Sequence, residues 1–299
     1  MALTTPPRPY DLLKDFPELA SYAKPAVRLH PRPGSPTVEE SSIGGPLLWP
    51  ADEQWPMCRF EHAEFTINPV DGTRIDDDPA PLIPVAQLFY RDIPGLPFAD
   101  RFDLLQVLWC PRDHVNTRNQ PSYCPAFQVR WGRADTTVSV LAHPPQPDFA
   151  VDNYVPNACV VQPETVTEYP DIRALPKPLG QALSAWHRPE DEEEDDEWST
   201  AYSFDTAHAP GWKAMGYGMY WGIFDPAPVM CECGTEQLPL FTADTGENNG
   251  GRQSWQPLEE AGTQETYAGP VGVSIGRGYA LQLFYCPESE THPCRAVMA

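Results

Sequence analysis

Leu104-Leu105-Gln106-Val107-Leu108-Trp109-Cys110-Pro111 and Ala280-Leu281-Gln282-Leu283-Phe284-Tyr285-Cys286-Pro287 share one outline. Each is an apolar run of strand length that closes on an aromatic residue, a cysteine and a proline, which reads as a buried strand cut off by its proline. What stands ahead of them also matches. The first run follows Gly44-Gly45-Pro46, then Cys58, then Leu82-Ile83-Pro84-Val85-Ala86-Gln87. The second follows Gly216-Tyr217-Gly218, then Cys231-Glu232-Cys233-Gly234, then Leu238-Pro239-Leu240-Phe241. A glycine turn, a cysteine-bearing loop, a strand and a cysteine-ended strand therefore recur in the same order, and an internal duplication is the simplest account.

Outward from these runs the chain is mainly β, a β-rich α+β protein of two similar halves with short helices and many Pro-rich loops. Its 299 residues can bury a sizeable core in one large or two closely packed units. Thirty-seven prolines against 20 glycines forbid long helices and long central strands. Residues 1–40 read as a Pro-rich segment with one short helix over Pro9 to Tyr22, where Leu12, Leu13, Phe16, Leu19 and Tyr22 recur at helical spacing.

The first β half is expected over 41–162, with strands at Leu82 to Tyr90, Asp103 to Cys110 and Ala126 to Trp131. A connecting segment, 163–201, is helix-compatible at Leu179 to His187 and carries the acidic run Glu190 to Glu197, which is expected to be a disordered solvated loop. The second β half, 202–299, has strands at Lys213 to Phe224, Gln237 to Asp244 and Tyr279 to Cys286.

Forty-two acidic residues against 20 basic ones set a formal charge of −22, which speaks against nucleic acid and anionic membrane surfaces and permits a basic partner. No basic, apolar leader opens the chain and no run of about 18 apolar residues occurs in it, so a cytoplasmic protein is expected. In a reducing cytosol, eight cysteines serve as metal ligands or small hydrophobes rather than disulfides.

Ile43-Gly44-Gly45-Pro46 with Trp49-Pro50 and Trp55-Pro56, Pro84-Val85-Ala86-Gln87-Leu88, Gly211-Trp212-Lys213 leading into Gly216, a strand ending at Asp244 and the terminal Leu283-Phe284-Tyr285-Cys286 resemble the YwqG-like family, a bacterial domain of unknown function. The resemblance spans residues 43 to about 287 and rests on structural glycines, prolines and tryptophans; it implies a fold and no activity. A fainter similarity, confined to the Gly-Gly, Cys and strand-Cys order of each half, is to the programmed-cell-death-protein-two family of ribosomal-protein chaperones. The extra cysteines and the acidic insertion depart from the usual YwqG-like pattern.

Zinc is held tetrahedrally by thiolates and imidazoles, and two close pairs from two segments minimise the loop entropy of assembling such a site. Cys231 and Cys233 form one pair. Cys286 with His292 and Cys294 supplies the other, with His292 and Cys294 competing for the fourth position. At the matching places of the first half, Cys58 with His62 and Cys110 with His114 give two C-x3-H steps, and Cys124 is an alternative to a histidine. The competing reading of the Cys231 and Cys286 set is buried free thiols or a redox pair, and that of the other is Cys110 and Cys124 packed as small hydrophobes with exposed histidines. One or two structural zinc ions are expected, since neither cluster shows an open three-histidine pattern.

Gly272-Val273-Ser274-Ile275-Gly276 satisfies the G-x-S-x-G formula, but a nucleophile elbow needs a helix after it and a β run follows here. No P-loop or dinucleotide fingerprint occurs. Trp49, Trp55, Trp212, Tyr217, Tyr220 and Trp221 either line a groove or cap a β core. Asp244, Glu247 and Asn248 form either a cation site or a polar turn. Two functions remain: a non-enzymatic protein-binding module, immunity-like or client-chaperone-like, and a hydrolase using Ser274 or an open zinc site.

Overall fold

The computed structural model describes residues 2–63, 67, 70–72, 79–115, 117–137, 139–186, 202–219, 227–247, 253–263 and 268–299. The acidic run Glu190 to Glu197, together with Tyr220, Trp221 and Asn248, lies outside them.

The two runs that open the sequence argument are strands β7 (Leu104–Cys110) and β13 (Ala280–Tyr285). All of β7 is buried, because both faces are covered. Leu105, Val107 and Trp109 point into the main core, whereas Leu108 and Cys110 join a second cluster with Leu47, Trp49 and Trp55 on the opposite face. Strands covered on both sides read as continuous apolar runs, which is why the alternation is hidden in the sequence.

Two six-stranded antiparallel sheets are built around these strands. The first uses β2 (Arg32–Pro33), β3 (Ser42–Ile43), β6 (Ile83–Phe89), β8 (Ala126–Gly132) and β9 (Cys159–Val160), in the order β2-β9-β3-β6-β7-β8. The second uses β1 (Lys24–Arg28), β10 (Glu164–Glu168), β11 (Lys213–Met215), β12 (Leu238–Asp244) and β14 (Arg295–Met298), in the order β10-β1-β11-β12-β13-β14. A small hairpin, β4 (Met57–Cys58) with β5 (Ala80–Pro81), stands apart. One apolar cluster draws on both sheets, from Val27, Val85 and Trp109 to Phe241, Leu281 and Leu283.

The central strands of the two sheets agree in two details. Strands β3 and β11 each run into a glycine of positive φ, Gly44 at +61° and Gly216 at +79°. A Cβ at Gly44 would lie 2.6 Å from the Asn157 carbonyl oxygen, and one at Gly216 would strike the Glu168 carboxylate, so both turns demand glycine. Strands β6 and β12 carry their prolines, Pro84 and Pro239, at a shift of register beside the next strand. Proline has no N–H for the ladder, and a bulge is where that loss is tolerated.

The first and middle segments of the chain are more structural than expected. Segment 24–33 pairs with 159–168 as one antiparallel ribbon: Lys24 opposite Glu168 and Arg28 opposite Glu164 in the second sheet, then Arg32 opposite Val160 and Pro33 opposite Cys159 in the first, in unbroken register. The boundary at 163 therefore cuts through a ribbon that belongs to both sheets, and the one at 40 places its two strands in different segments. Its strands are short, proline-bearing or charged, and leave no period to read. The helix expected over Pro9 to Tyr22 divides into α1 (Leu12–Asp15) and a 3-10 turn over Pro17–Tyr22, because Pro17 cannot continue the first. The second helix, α2, runs over Lys177–Ser184. Among the described residues no helix is long and apolar enough to cross a membrane.

Candidate metal centres

The first centre forms where β7 ends. Cys110 is its last residue and points to the outer face of the sheet, beside Cys58 of the β4–β5 hairpin. His62 and His114 face one another across an antiparallel bridge, held by Ala63 N–H to Asp113 O at 2.9 Å and Val115 N–H to Glu61 O at 3.2 Å. The two C-x3-H steps thus lie side by side. Cys58 Sγ is 3.3 Å from His114 Nε2 and Cys110 Sγ is 3.6 Å from His62 Nε2. All four ligand atoms fall within 4.8 Å of one another, and all four residues are buried.

Those spacings suit a tetrahedral ion: with Zn–S of about 2.3 Å and Zn–N of about 2.0 Å, adjacent sulfur and nitrogen ligands sit about 3.5 Å apart. His114 offers Nε2 to the cluster while its Nδ1 lies 3.1 Å from the Cys124 carbonyl oxygen, to which it donates when Nε2 is the ligand. Cys124 is therefore not in the quartet. Its thiol donates to Pro121 O at 3.2 Å, and its part is to orient a ligand through its backbone. Within the quartet the Cys110 thiol hydrogen-bonds Cys58 and pulls the latter down, helped by the His114 and His62 imidazoles, while the same bond and burial push Cys110 up. One sulfur is thus poised as a thiolate in a buried site, the condition a divalent metal meets by supplying positive charge.

The second centre occupies the matching place one residue past β13. Cys286 Sγ lies 3.6 Å from Cys233 Sγ and 3.2 Å from His292 Nδ1, and Cys231 Sγ lies 3.7 Å from the same nitrogen. These four form the other quartet. Residues 231–235 make a tight turn, with Cys231 N–H to Thr235 O at 2.9 Å, Gly234 N–H to Cys231 O at 3.0 Å and Gly234 at φ +90°. Gln237 Nε2 donates to Pro293 O at 2.8 Å and ties that turn to the loop bearing His292.

His292 takes the fourth position and Cys294 stands outside the quartet, its thiol pushed up to about 12 by burial. Unlike the first centre, this one is graded in exposure: Cys231 and Cys286 are buried, His292 is half-buried and Cys233 is exposed. The Thr235 backbone N–H, then its side chain, lowers Cys233 to about 6, and burial raises Cys286 to about 11.

Elsewhere the candidate residues take structural places. Trp49 and Trp55 pack with ring centroids 5.0 Å apart and planes tilted by 57° inside the core, and Trp212 packs on Phe241. Ser274 is buried in a turn whose amide donates to Asn153 O at 2.9 Å, and the chain continues into β13 rather than a helix; among the described residues none is hydrogen-bonded to its hydroxyl. Asp244 accepts from Gly211 and Gly246 N–H groups, and burial raises its pKa. That is a polar turn.

Sequence reasoning missed a buried ion pair under the second sheet. Lys213 Nζ lies 2.5 Å from Glu168 Oε1, both side chains fully buried, and the same carboxylate accepts from Ala209 and Tyr217 N–H groups at 2.8 Å. A lysine between Trp212 and Ala214 in an apolar strand was its only trace. No protein-family model and no curated protein matches the chain.

Proposed function

We propose that this chain is a non-enzymatic protein-binding module in which each β half is pinned by one structural zinc ion. What carries the reading is the pair of Cys/His quartets at the ends of the two central strands, each with four protein ligands and therefore closed to substrate. Cys2His2 and Cys3His sets at tetrahedral spacing favour zinc over the hard cations, which take oxygen ligands.

The matching strand runs β3-β6-β7-β8 and β11-β12-β13-β14, the paired glycine turns and the paired proline bulges support descent from an internal duplication. Kinship with the YwqG-like family belongs to the same proposal and rests on the motifs quoted above. Eight cysteines without a disulfide suit a reducing cytoplasm.

The partner we infer is a basic protein. Without the eight acidic residues of 190–197 the chain still carries 34 acidic against 20 basic residues, a formal −14, so the negative field belongs to the folded body as well. Burial of Trp49 and Trp55 removes them as contact residues and leaves electrostatics as the support for this part. Protein purified without chelator or histidine tag is expected to hold about two equivalents of zinc, and a basic partner should associate at a rate that falls steeply with salt. Less than about 0.3 equivalent of zinc, with thiols titrating freely in the folded state, would sink the metal reading. Salt-independent capture would remove the basic partner.

A further inference from the structure

Of the eight cysteines, six are buried, Cys294 is intermediate and Cys233 alone is exposed. That exposed sulfur lies 3.6 Å from Cys286 Sγ, its neighbour in the second quartet. The turn that carries it is anchored at Cys231 and Gln237, on either side of Cys233, and nothing packs on the Cβ direction of Gly234 beside it. The first quartet has no counterpart: Cys58 and Cys110 are both buried.

We propose that Cys233 and Cys286 form a peroxide-sensitive dithiolate whose oxidation releases the metal of the second centre while the first centre keeps its own; this rests on the zinc reading above. The oxidant is hydrogen peroxide. The Cys233 thiolate attacks one peroxide oxygen, the O–O bond breaks, and the products are a sulfenic acid on Cys233 and hydroxide. The Cys286 thiolate then attacks that sulfur, the S–S bond forms, the S–O bond breaks and a second hydroxide leaves. Two electrons pass from the sulfur pair to the peroxide.

Closing the sulfurs from 3.6 Å to a bond of about 2.0 Å asks for a movement of about 1.6 Å, which an exposed turn absorbs more easily than the buried, bridge-locked ligand residues of the first centre. Cys231 and His292 remain as two ligands of four, too few to hold zinc tetrahedrally. A thiol reductant with fresh zinc restores the site.

The test exposes the zinc-loaded full chain to hydrogen peroxide, follows free zinc with a chromogenic chelator and maps disulfides by mass spectrometry. One of two equivalents should appear, at least about tenfold faster than the other, together with a Cys233–Cys286 peptide, and reductant plus zinc should reverse both. Cys294→Ser should leave the release unchanged, since Cys294 lies outside the quartet. Equal release of both equivalents, a Cys58–Cys110 disulfide appearing first, or release abolished by Cys294→Ser overturns the assignment. A chain that purifies without zinc and binds none fails at the zinc reading instead; one that holds two equivalents and keeps both under peroxide fails only here.

Discussion

The quartet at Cys110 and the quartet at Cys286 occupy the same station in their sheets, yet one is sealed and the other reaches solvent. In the first, each segment contributes a cysteine and a histidine, and an antiparallel bridge locks the two segments together. In the second, a five-residue turn supplies two sulfurs, and the histidine arrives from a loop six residues beyond Cys286. The lesson is that ligand type and position set what can bind, while the covering around them sets whether the site behaves as a permanent staple or an exchangeable one. The turns differ too. Gly44 is closed against backbone carbonyls, whereas Gly216 lies on the carboxylate of the buried Glu168–Lys213 pair.

The strongest way to break the comparison is to remove a ligand from the sealed site. Cys110→Ser should cost about 5 kcal/mol or more of unfolding free energy and lower bound zinc from two equivalents to one, because structural zinc supplies folding energy directly. Denaturant melts with metal analysis check both; Cys286→Ser, at the half-open site, should cost less.

Next in size is the fully buried Lys213–Glu168 ion pair, which among the described residues has no counterpart in the first sheet. Glu168→Gln keeps one acceptor oxygen, enough for either the Ala209 or the Tyr217 N–H, sets its amide group against the other, and leaves Lys213 charged and unpaired in a dry site, at a cost of about 3–5 kcal/mol. Bound zinc should stay at two equivalents, which separates loss of the pair from loss of a metal.

Acid should weaken the second half through His208. Burial first, and the Lys213 charge second, hold its pKa down to about 4, against an ordinary value of 6.5. Between those values the unfolded chain binds a proton that the folded chain refuses, so this stability is complete above the unfolded value and is lost as pH falls toward 4. Between pH 7.5 and 4.5 the wild type should lose about 2 kcal/mol more than His208→Gln. Metal loss in acid affects both proteins alike and cancels in that difference.

The smallest effects belong to the two cysteines that stand beside the quartets. Cys124→Ala and Cys294→Ala should each leave two zinc equivalents in place and change stability by about 1 kcal/mol or less, as expected for losing a small thiol that is buried at Cys124 and half-buried at Cys294. A drop to one equivalent in either variant would redraw the ligand sets described here.

Much of this was legible in local sequence. The strands β6, β7, β8, β12 and β13 lie within a residue or two of where apolar runs and bounding prolines put them. The C-x3-H steps and the C-x-C turn named six of the eight quartet residues and the strand-ending Cys286 a seventh, with Cys124 left open as an alternative to a histidine and His292 left open against Cys294. Less visible were β1, β2, β9 and β10, because two- to five-residue strands held by long-range pairing carry no period of their own. Invisible altogether was the burial of Glu168, whose sequence neighbours are threonine, valine and tyrosine in an otherwise half-exposed edge strand.

By itself, then, the sequence determined a β-rich chain with two cysteine-ended strands and two sets of metal-ligand chemistry, since alternation, proline punctuation and ligand spacing are properties of neighbours along the backbone. Only the tertiary structure decided that one quartet is sealed and the other exposes Cys233, that Trp49 and Trp55 face inward, and that segment 24–33 joins segment 159–168 in a ribbon shared by both sheets. Burial and pairing across more than a hundred residues depend on which surfaces meet, and that is settled by packing the whole chain at once.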